Sequence, residues 1–246
     1  MVDVAFTPRD LGSADVAVVV DVLRATTTVA AALAAGHRRV LCCEEVEAAE
    51  RLRGPNRLLA GERDNVAIPG FDRGNSPIGF DGEGGGDVVL STTNGSRAIV
   101  AAAARSREVI LASLVNLEAV LEGLPEDGVT VVCSGTAGGM AVEDVYVAGR
   151  IVGRLEGERT DAAIMAELVT AAYADPRAAL TVGANARKLL ETDQEADIDY
   201  CARESILDVV PRVTGTMQGV AFVSAGTASR VHAMRPPSAR TLDRSL

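Results

Sequence analysis

Tryptophan is absent from this 246-residue chain, and aromatic residues together make up only 3% of it. The core must therefore be built from Ala, Val, Leu and Ile, which suits helices packed closely on a Val-rich sheet. The same scarcity argues against the aromatic platforms on which single-stranded nucleic acid stacks. Positive charge is in deficit: 24 Lys and Arg face 34 Asp and Glu, for a formal charge of −10. A chain of that sign repels a polyanion, so no nucleic-acid partner is expected. A small anion is not excluded, because a local group of Arg side chains and N–H groups can outweigh the global sign. Lysine is nearly missing too: Lys188 is the only one, and every other basic side chain is Arg.

The four cysteines, Cys42, Cys43, Cys133 and Cys201, form no C-x-x-C pair, and a chain of this length needs no disulfide framework. A reducing cytoplasm is the expected compartment. His37 and His232 belong to no metal-like cluster, so a zinc site or a histidine-based phosphatase has no support. The most apolar stretch, residues 14–36, is interrupted by Asp15, Asp21 and Arg24, and no membrane span is expected. Residues 1–10 carry Asp3, Arg9 and Asp10 in place of a basic segment followed by an apolar block. Neither G-x-G-x-x-G nor a Walker loop occurs, so nucleotide binding lacks its usual signature. What is there is an ordinary globular composition, 48% hydrophobic and 24% charged, long enough to bury a sizeable core.

One plan recurs three times: an apolar strand, a loop of small hydroxyl and Gly residues, and an Ala-rich helix. Its copies are strand 16–20 with loop 21–28 and helix 29–36, strand 88–90 with loop 91–97 and helix 98–104, and strand 129–133 with loop 134–139 and helix 142–155. The alternation predicts a three-layer α/β/α fold on a mostly parallel or mixed sheet, with a single domain over 1–234. In such sheets ligands bind beyond the carboxyl ends of the strands, so the three loops should gather at one sheet edge. Further strands are expected at 58–60, 109–112 and 217–225, and further helices at 162–173 and 178–190. Residues 70–77 read as an ordered loop, 81–87 as an exposed acidic turn and 235–246 as a tail without apolar periodicity.

A loop at a helix N-terminus offers unpaired N–H groups and partial positive charge, which attract phosphate or sulfonate. Thr26, Thr27 and Thr28, then Thr92, Thr93, Asn94 and Gly95, then Ser134, Gly135 and Thr136 suit that role. Helix capping is the competing reading. Three such loops at one edge favour the anion site. Arg24 and Arg97 lie in two of the loops and Arg63 in a third segment, where a planar guanidinium can fork a phosphate. Asp21, delivered at a strand end, and Glu62, Asp72, Glu143 and Asp144 are candidate Mg²⁺ or acid–base groups. Each could equally be an Arg partner or, for Glu143 and Asp144, a first-turn helix charge. Cys133 is not followed by the C-x₅-R phosphate loop and reads as core.

Taken in order, Asp21-Val-Leu-Arg-Ala-Thr-Thr-Thr28, Gly61-Glu-Arg63, Gly70-Phe-Asp-Arg-Gly-Asn-Ser-Pro77, Thr92-Thr-Asn-Gly-Ser-Arg-Ala98, Cys133-Ser-Gly-Thr136, Glu143-Asp144 and Asp199-Tyr-Cys201 resemble the 2-phosphosulfolactate phosphatase family of coenzyme M biosynthesis. The resemblance implies a Mg²⁺-dependent phosphoric monoester hydrolase that releases 3-sulfolactate and phosphate. It implies Asp21, Arg24, Asp72 and Arg97 as catalytic residues. Thr27, Arg63, Asn75, Thr93, Asn94, Gly95, Ser134 and Gly135 become substrate-binding residues, and Asp21, Glu62 and Asp144 metal ligands. A homodimer is the expected assembly. The alternatives are a phosphatase for another small anionic ester and a non-catalytic anion- or nucleotide-binding protein.

Overall fold

The computed structural model describes residues 1–80, 82 and 84–226. Ten strands form one mixed sheet: β1 (Val2–Ala5), β2 (Ala14–Val20), β3 (Arg39–Cys43), β4 (Arg57–Arg63), β5 (Val66–Ala67), β6 (Asp87–Ser91), β7 (Ser106–Ala112), β8 (Val129–Cys133), β9 (Val210–Met217) and β10 (Val220–Gly226). Their order across the sheet is β1-β8-β2-β7-β9-β10-β3-β6-β4-β5. The helices are α1 (Ala25–Ala34), α2 (Val46–Arg51), α3 (Gly95–Arg105), α4 (Leu117–Gly123), α5 (Val142–Val152), α6 (Asp161–Ala171), α7 (Pro176–Thr181), α8 (Ala184–Glu191) and α9 (Glu195–Cys201).

The pleat sorts the run of valines into two cores. Val18 and Val20 of β2 face a core completed by α4 to α9, whereas Ala17 and Val19 face α1 and α3 on the other side. A smaller core under β3, β6 and β4 is closed by Ala49 of α2. Both faces of the sheet are thus covered by helices, as the continuous apolar strands require. At about 25 cal/mol per Å², a buried Val or Leu contributes on the order of 1.5–3 kcal/mol.

The sheet is two parallel blocks rather than one. β1, β8, β2 and β7 run together, as do β3, β6 and β4, and the β9–β10 hairpin lies between the blocks with antiparallel neighbours on each side. Three antiparallel junctions leave the blocks running in opposite senses. Five strand-to-strand steps separate β2 from β6. At roughly 20–25° of twist per step they swing the second block round by about 100–125°. The carboxyl ends of β2, β4 and β6 meet around one cleft although their strands are not all parallel, contributing Asp21, Glu62 and Thr93 to its lining.

Several sequence expectations need adjustment. The late strand expected at 217–225 is a hairpin turning at Gln218 and Gly219. The helix expected over 178–190 is broken in two at Gly183, where a Cβ would fall 2.2 Å from Oε2 of Glu143. Asp87, placed by sequence in an exposed acidic turn, instead begins β6, where Arg38 and Arg39 fork its buried carboxylate. The tail expected over 235–246 lies outside the described residues. No helix among the described residues is long and apolar enough to cross a membrane.

Candidate active site

β2 ends at Val20, and the chain turns through Asp21 to Arg24 into α1. The turn is fixed by its own side chains. The Ala25 N–H donates to Oδ1 of Asp21 at 3.2 Å, and Oγ1 of Thr26 accepts from the Asp21 N–H at 3.0 Å while donating to its carbonyl at 2.9 Å. Thr27 donates to the Val22 carbonyl at 2.9 Å and Thr28 to that of Asn75 at 3.0 Å. All three threonines are buried inside the helix, not in the loop. A buried hydroxyl must find a partner, and these find backbone. Thr27 is therefore a fastener and not a free anion donor, and for these threonines the local-bonding reading prevails.

The loop after β6 is fastened in the same way. Thr92 and Ser96 each give an N–H to the other's hydroxyl at 3.0 Å. The N–H and hydroxyl of Thr93 donate to Glu62 at 2.8 and 3.2 Å, and the Asn65 N–H adds a third bond to that carboxylate at 2.8 Å. Gly95 starts α3 so close to the first turn that its Cβ would lie 2.3 Å from Cβ of Ala25 and 2.4 Å from Oδ2 of Asp21. Only glycine lets the start of α3 pack this closely on Asp21 and Ala25.

The third loop is tied to the first through Asp144 in α5. Its Oδ1 accepts from the Val22 N–H at 3.0 Å, and its Oδ2 from the Ser134 hydroxyl and Gly135 N–H at 3.0 Å each. Ser134 and Gly135, expected to hold substrate, are spent on this clamp, and Thr136 and Ala137 reach the cleft beyond them.

The cleft is small, about 60 Å³, and is lined by residues from all three loops, among them Asp21, Arg24, Glu62, Asn75, Thr93, Asn94 and Thr136. Asp64 and Asn65 from the β4–β5 turn, with Asn185 and Lys188 of α8, close the opposite wall. Arg24 is 2% exposed. Its Nη1 donates to Asp197 of α9 and, at 2.5 Å, to Gln194, while Nε and Nη2 have no partner. Ser76 donates to the other oxygen of Asp197 at 2.6 Å. The guanidinium is held by one nitrogen, and its other two are buried without a partner beside the cleft.

Three expected site residues lie elsewhere. Arg97 is 56% exposed on its side chain and pairs with Glu44 and Glu45 outside the cleft, because the third position of α3 points away from the turn. Arg63 spends its guanidinium on the Glu62, Ser91 and Glu44 carbonyls and the Ser91 hydroxyl, which knits the ends of β4 and β6. Asp72 accepts from the Leu59 N–H at 2.8 Å beside β4 and does not line the cleft. Conversely, Asn65, Asn185, Lys188, Gln194 and Asp197 were not singled out by the sequence reading. They come from α8, α9 and a turn outside the three strand–loop–helix units, and although α9 carries Asp199-Tyr-Cys201, only tertiary packing brings them to β2.

Electrostatically the site is a nest of buried carboxyls. Burial pushes Asp21 up to about 6 against the pull of the Ala25 N–H, and nearby Glu62 raises it further. Burial also lifts Glu143 to about 7, with the charge of Asp21 adding to it, and neither oxygen of Glu143 has a hydrogen-bond partner from another residue. Asp144 is raised well above the carboxylate range by burial and then by Asp21 and Glu143. Among the described residues no three His, Cys, Asp or Glu gather closely enough to cage an ion, so Asp21, Glu62 and Asp144 are not a metal triad. The cleft itself offers only oxygen donors, with no His or Cys in its lining. Asp21 and Glu62 fit a hard cation that takes one or two protein carboxylates and completes its shell with substrate and water.

Cys133 is buried behind this nest, and burial, followed by Asp144 and Glu143, raises its thiol well above the usual value. The other three thiols are raised chiefly by burial, Cys43 to about 12. An aromatic disulfide reagent should therefore leave all four cysteines unmodified in the native protein and titrate them on denaturation. Fast native labelling of Cys133 would contradict its burial.

A twisted α/β sheet whose strand ends converge on a carboxylate, a half-free buried guanidinium and hydroxyl-fastened loops defines an α/β protein with a polar cleft at its strand ends. The profile of the 2-phosphosulpholactate phosphatase family matches residues 4–216. Similar proteins include the probable 2-phosphosulfolactate phosphatases of Pseudothermotoga lettingae (40% identity, covering 86% of this chain and 95% of that one) and Deinococcus radiodurans (39%, 80% and 87%). That of Thermus thermophilus is 39% identical over 82% of this chain and 89% of its own. The chain belongs to the 2-phosphosulpholactate phosphatase family.

Proposed function

We propose that this protein hydrolyses 2-phosphosulfolactate to 3-sulfolactate and phosphate with the help of Mg²⁺. The observation that carries the reading is the pairing of Asp21 with the unpartnered Nε and Nη2 of Arg24 in one cleft. Two free nitrogens of one guanidinium are a fork for two phosphoryl oxygens. The ionised Asp21 carboxylate, held by the Ala25 N–H through Oδ1 and lining the cleft, would align a water molecule against phosphorus. As the water oxygen bonds to phosphorus it gives one proton to Asp21 and keeps the other on the new phosphate. The ester P–O bond breaks, the departing alkoxide takes a proton from solvent to leave as the hydroxyl of 3-sulfolactate, and Asp21 returns its proton to solvent. Bound Mg²⁺ would neutralise charge on the phosphoryl group. The clamp at Asp144 and the caps at Thr26 and Ser96 hold these groups in place before substrate arrives, which is where most of the rate of such a reaction originates.

The test is phosphate release from 2-phosphosulfolactate, 2-phospholactate and an aryl phosphate, with and without Mg²⁺. Rapid Mg²⁺-dependent release that favours the sulfonated ester is expected. Turnover that survives a strong chelator would remove the metal from the proposal, and release only from the other esters would replace the substrate. A protein that binds these anions and releases no phosphate would be a binding protein.

A further inference from the structure

A substrate with a phosphate, a carboxylate and a sulfonate needs more positive charge than Arg24 can give, and two of the arginines expected to help are committed elsewhere. Among the described residues, Arg24 and Lys188 are the only cationic side chains lining the cleft. They come from opposite walls, Arg24 from the turn after β2 and Lys188 from the middle of α8. The α8 wall is anchored to the rest of the site. Asn185 donates to the Leu23 carbonyl and accepts from Nδ2 of Asn65 at 2.9 Å, and Gln194 donates to the Asn65 carbonyl at 3.2 Å. Lys188 itself has only a long contact to Asp64, 3.5 Å, with half of its side chain exposed. Its ammonium is thus placed but not consumed.

Composition points the same way. Of 24 basic side chains, Lys188 is the single lysine, so arginine stands at every other position of the sequence where a positive charge is present. The one site that keeps a compact ammonium is the wall of this cleft. An ammonium is a strongly hydrated point charge on a flexible stem, and its three donors suit the three equivalent oxygens of a sulfonate, whereas a guanidinium fork suits a phosphoryl edge.

Resting on the function proposed above, we infer that Lys188 is the specificity-determining residue for the anionic group distal to the phosphate, the sulfonate. Arg24 takes the phosphoryl end against Asp21, and Lys188 receives the sulfonate across the cleft, with the Asn65–Asn185 pair setting the distance between the two. Selectivity over the unsulfonated ester then comes from one charge-assisted contact and not from pocket size.

Steady-state kinetics on 2-phosphosulfolactate and 2-phospholactate with Mg²⁺, for the wild-type protein and for Lys188→Gln, Lys188→Arg and Arg187→Gln, test this. Lys188→Gln should reduce the preference for the sulfonated ester by about 10- to 100-fold, mostly through KM, as loss of a charged hydrogen bond implies. Lys188→Arg should recover part of it. Arg187→Gln removes the adjacent positive charge of α8, which does not line the cleft, and should keep the preference within about twofold. A preference untouched by Lys188→Gln, or lowered equally by Arg187→Gln, overturns the inference and leaves the proposed reaction standing. A wild-type protein with no preference for the sulfonated ester overturns both. Melting curves of each variant separate loss of contact from loss of fold.

Discussion

Asp21→Asn is expected to lower turnover by roughly 10²–10⁴-fold and, at the same time, to stabilise the protein at pH 7.5. The two effects share one cause. Asp21 is 6% exposed, and its burial lifts the carboxyl to about 6, roughly two units above its value in the unfolded chain. The native state must therefore hold a charge at pH 7.5 that it would rather neutralise. At 1.36 kcal/mol per unit, removing that charge should return roughly 1–3 kcal/mol, or about 2–12 °C in Tm for a chain of this length. The sign of the pH dependence follows. The folded-state values of Asp21 (about 6) and Glu143 (about 7) lie above their unfolded values, and Asp144 is displaced in the same direction. Between about pH 7 and pH 4 the native state binds more protons than the unfolded one, so stability rises as pH falls through that window. Activity is expected to have the opposite slope, because the proposed reaction uses Asp21 ionised, and it should fall as pH drops below about 6. Melting curves at pH 7.5 and 5.5 check this: the wild type should gain on acidification and Asp21→Asn should gain less. A variant that melts lower than wild type at pH 7.5 would show that the Asp21 charge is better compensated than its burial implies.

That a carboxylate would stand at the end of β2 was readable from the chain, because the five valine or alanine positions 16–20 deliver Asp21 to a strand end buried on both faces. The same logic found the strands ending at Ser91 and Cys133 and the convergence of their loops. It placed Arg24, Glu62, Asn75, Thr93 and Asn94 among the site residues, and all five line the cleft. It could not tell a cap from a ligand. Thr27, Ser134 and Gly135 have the composition of an anion loop, yet their hydrogen-bonding groups are used by Val22 and Asp144, and only three-dimensional neighbours reveal that. Arg97 shows a different failure. Counted along the sequence it belongs to the loop, but α3 begins two residues earlier and turns the side chain toward Glu44 and Glu45. The reversal of strand direction between the two blocks was hidden because β9 and β10 come last in the chain and insert mid-sheet, a pairing no local pattern encodes. Lys188, Asn185 and Asp197 sit on short helices outside the three recurring units, Asp197 two residues from Asp199-Tyr-Cys201, and only tertiary packing brings them to the β2 turn.

Arg24→Met should cost more stability than any substitution at the rim, about 3–5 kcal/mol, because it strands Asp197 as a buried charge with only Ser76 to hold it. It should also abolish turnover, since the two unpartnered nitrogens go with it. These consequences can be separated. In the double variant Arg24→Met, Asp197→Leu the orphaned carboxylate is gone, and replacing a buried ion pair with apolar groups of similar volume is often neutral or stabilising. Urea unfolding of the wild type, both single variants and the double variant closes a double-mutant cycle whose coupling term should be large and favourable. The double variant should regain most of the lost stability, bind neither the ester nor inorganic phosphate, and show no phosphate release. If it recovered activity with stability, the role of Arg24 would be structural alone, and the phosphoryl fork would have to be sought at Asn94 and the first turn of α3. If it recovered neither, the Arg24–Asp197 pair would be organising α9 against the β2 turn beyond what its own charge balance requires. The expected result, fold without chemistry, identifies Asp197 as the residue that positions Arg24 through Nη1 and so leaves Nε and Nη2 free for the substrate.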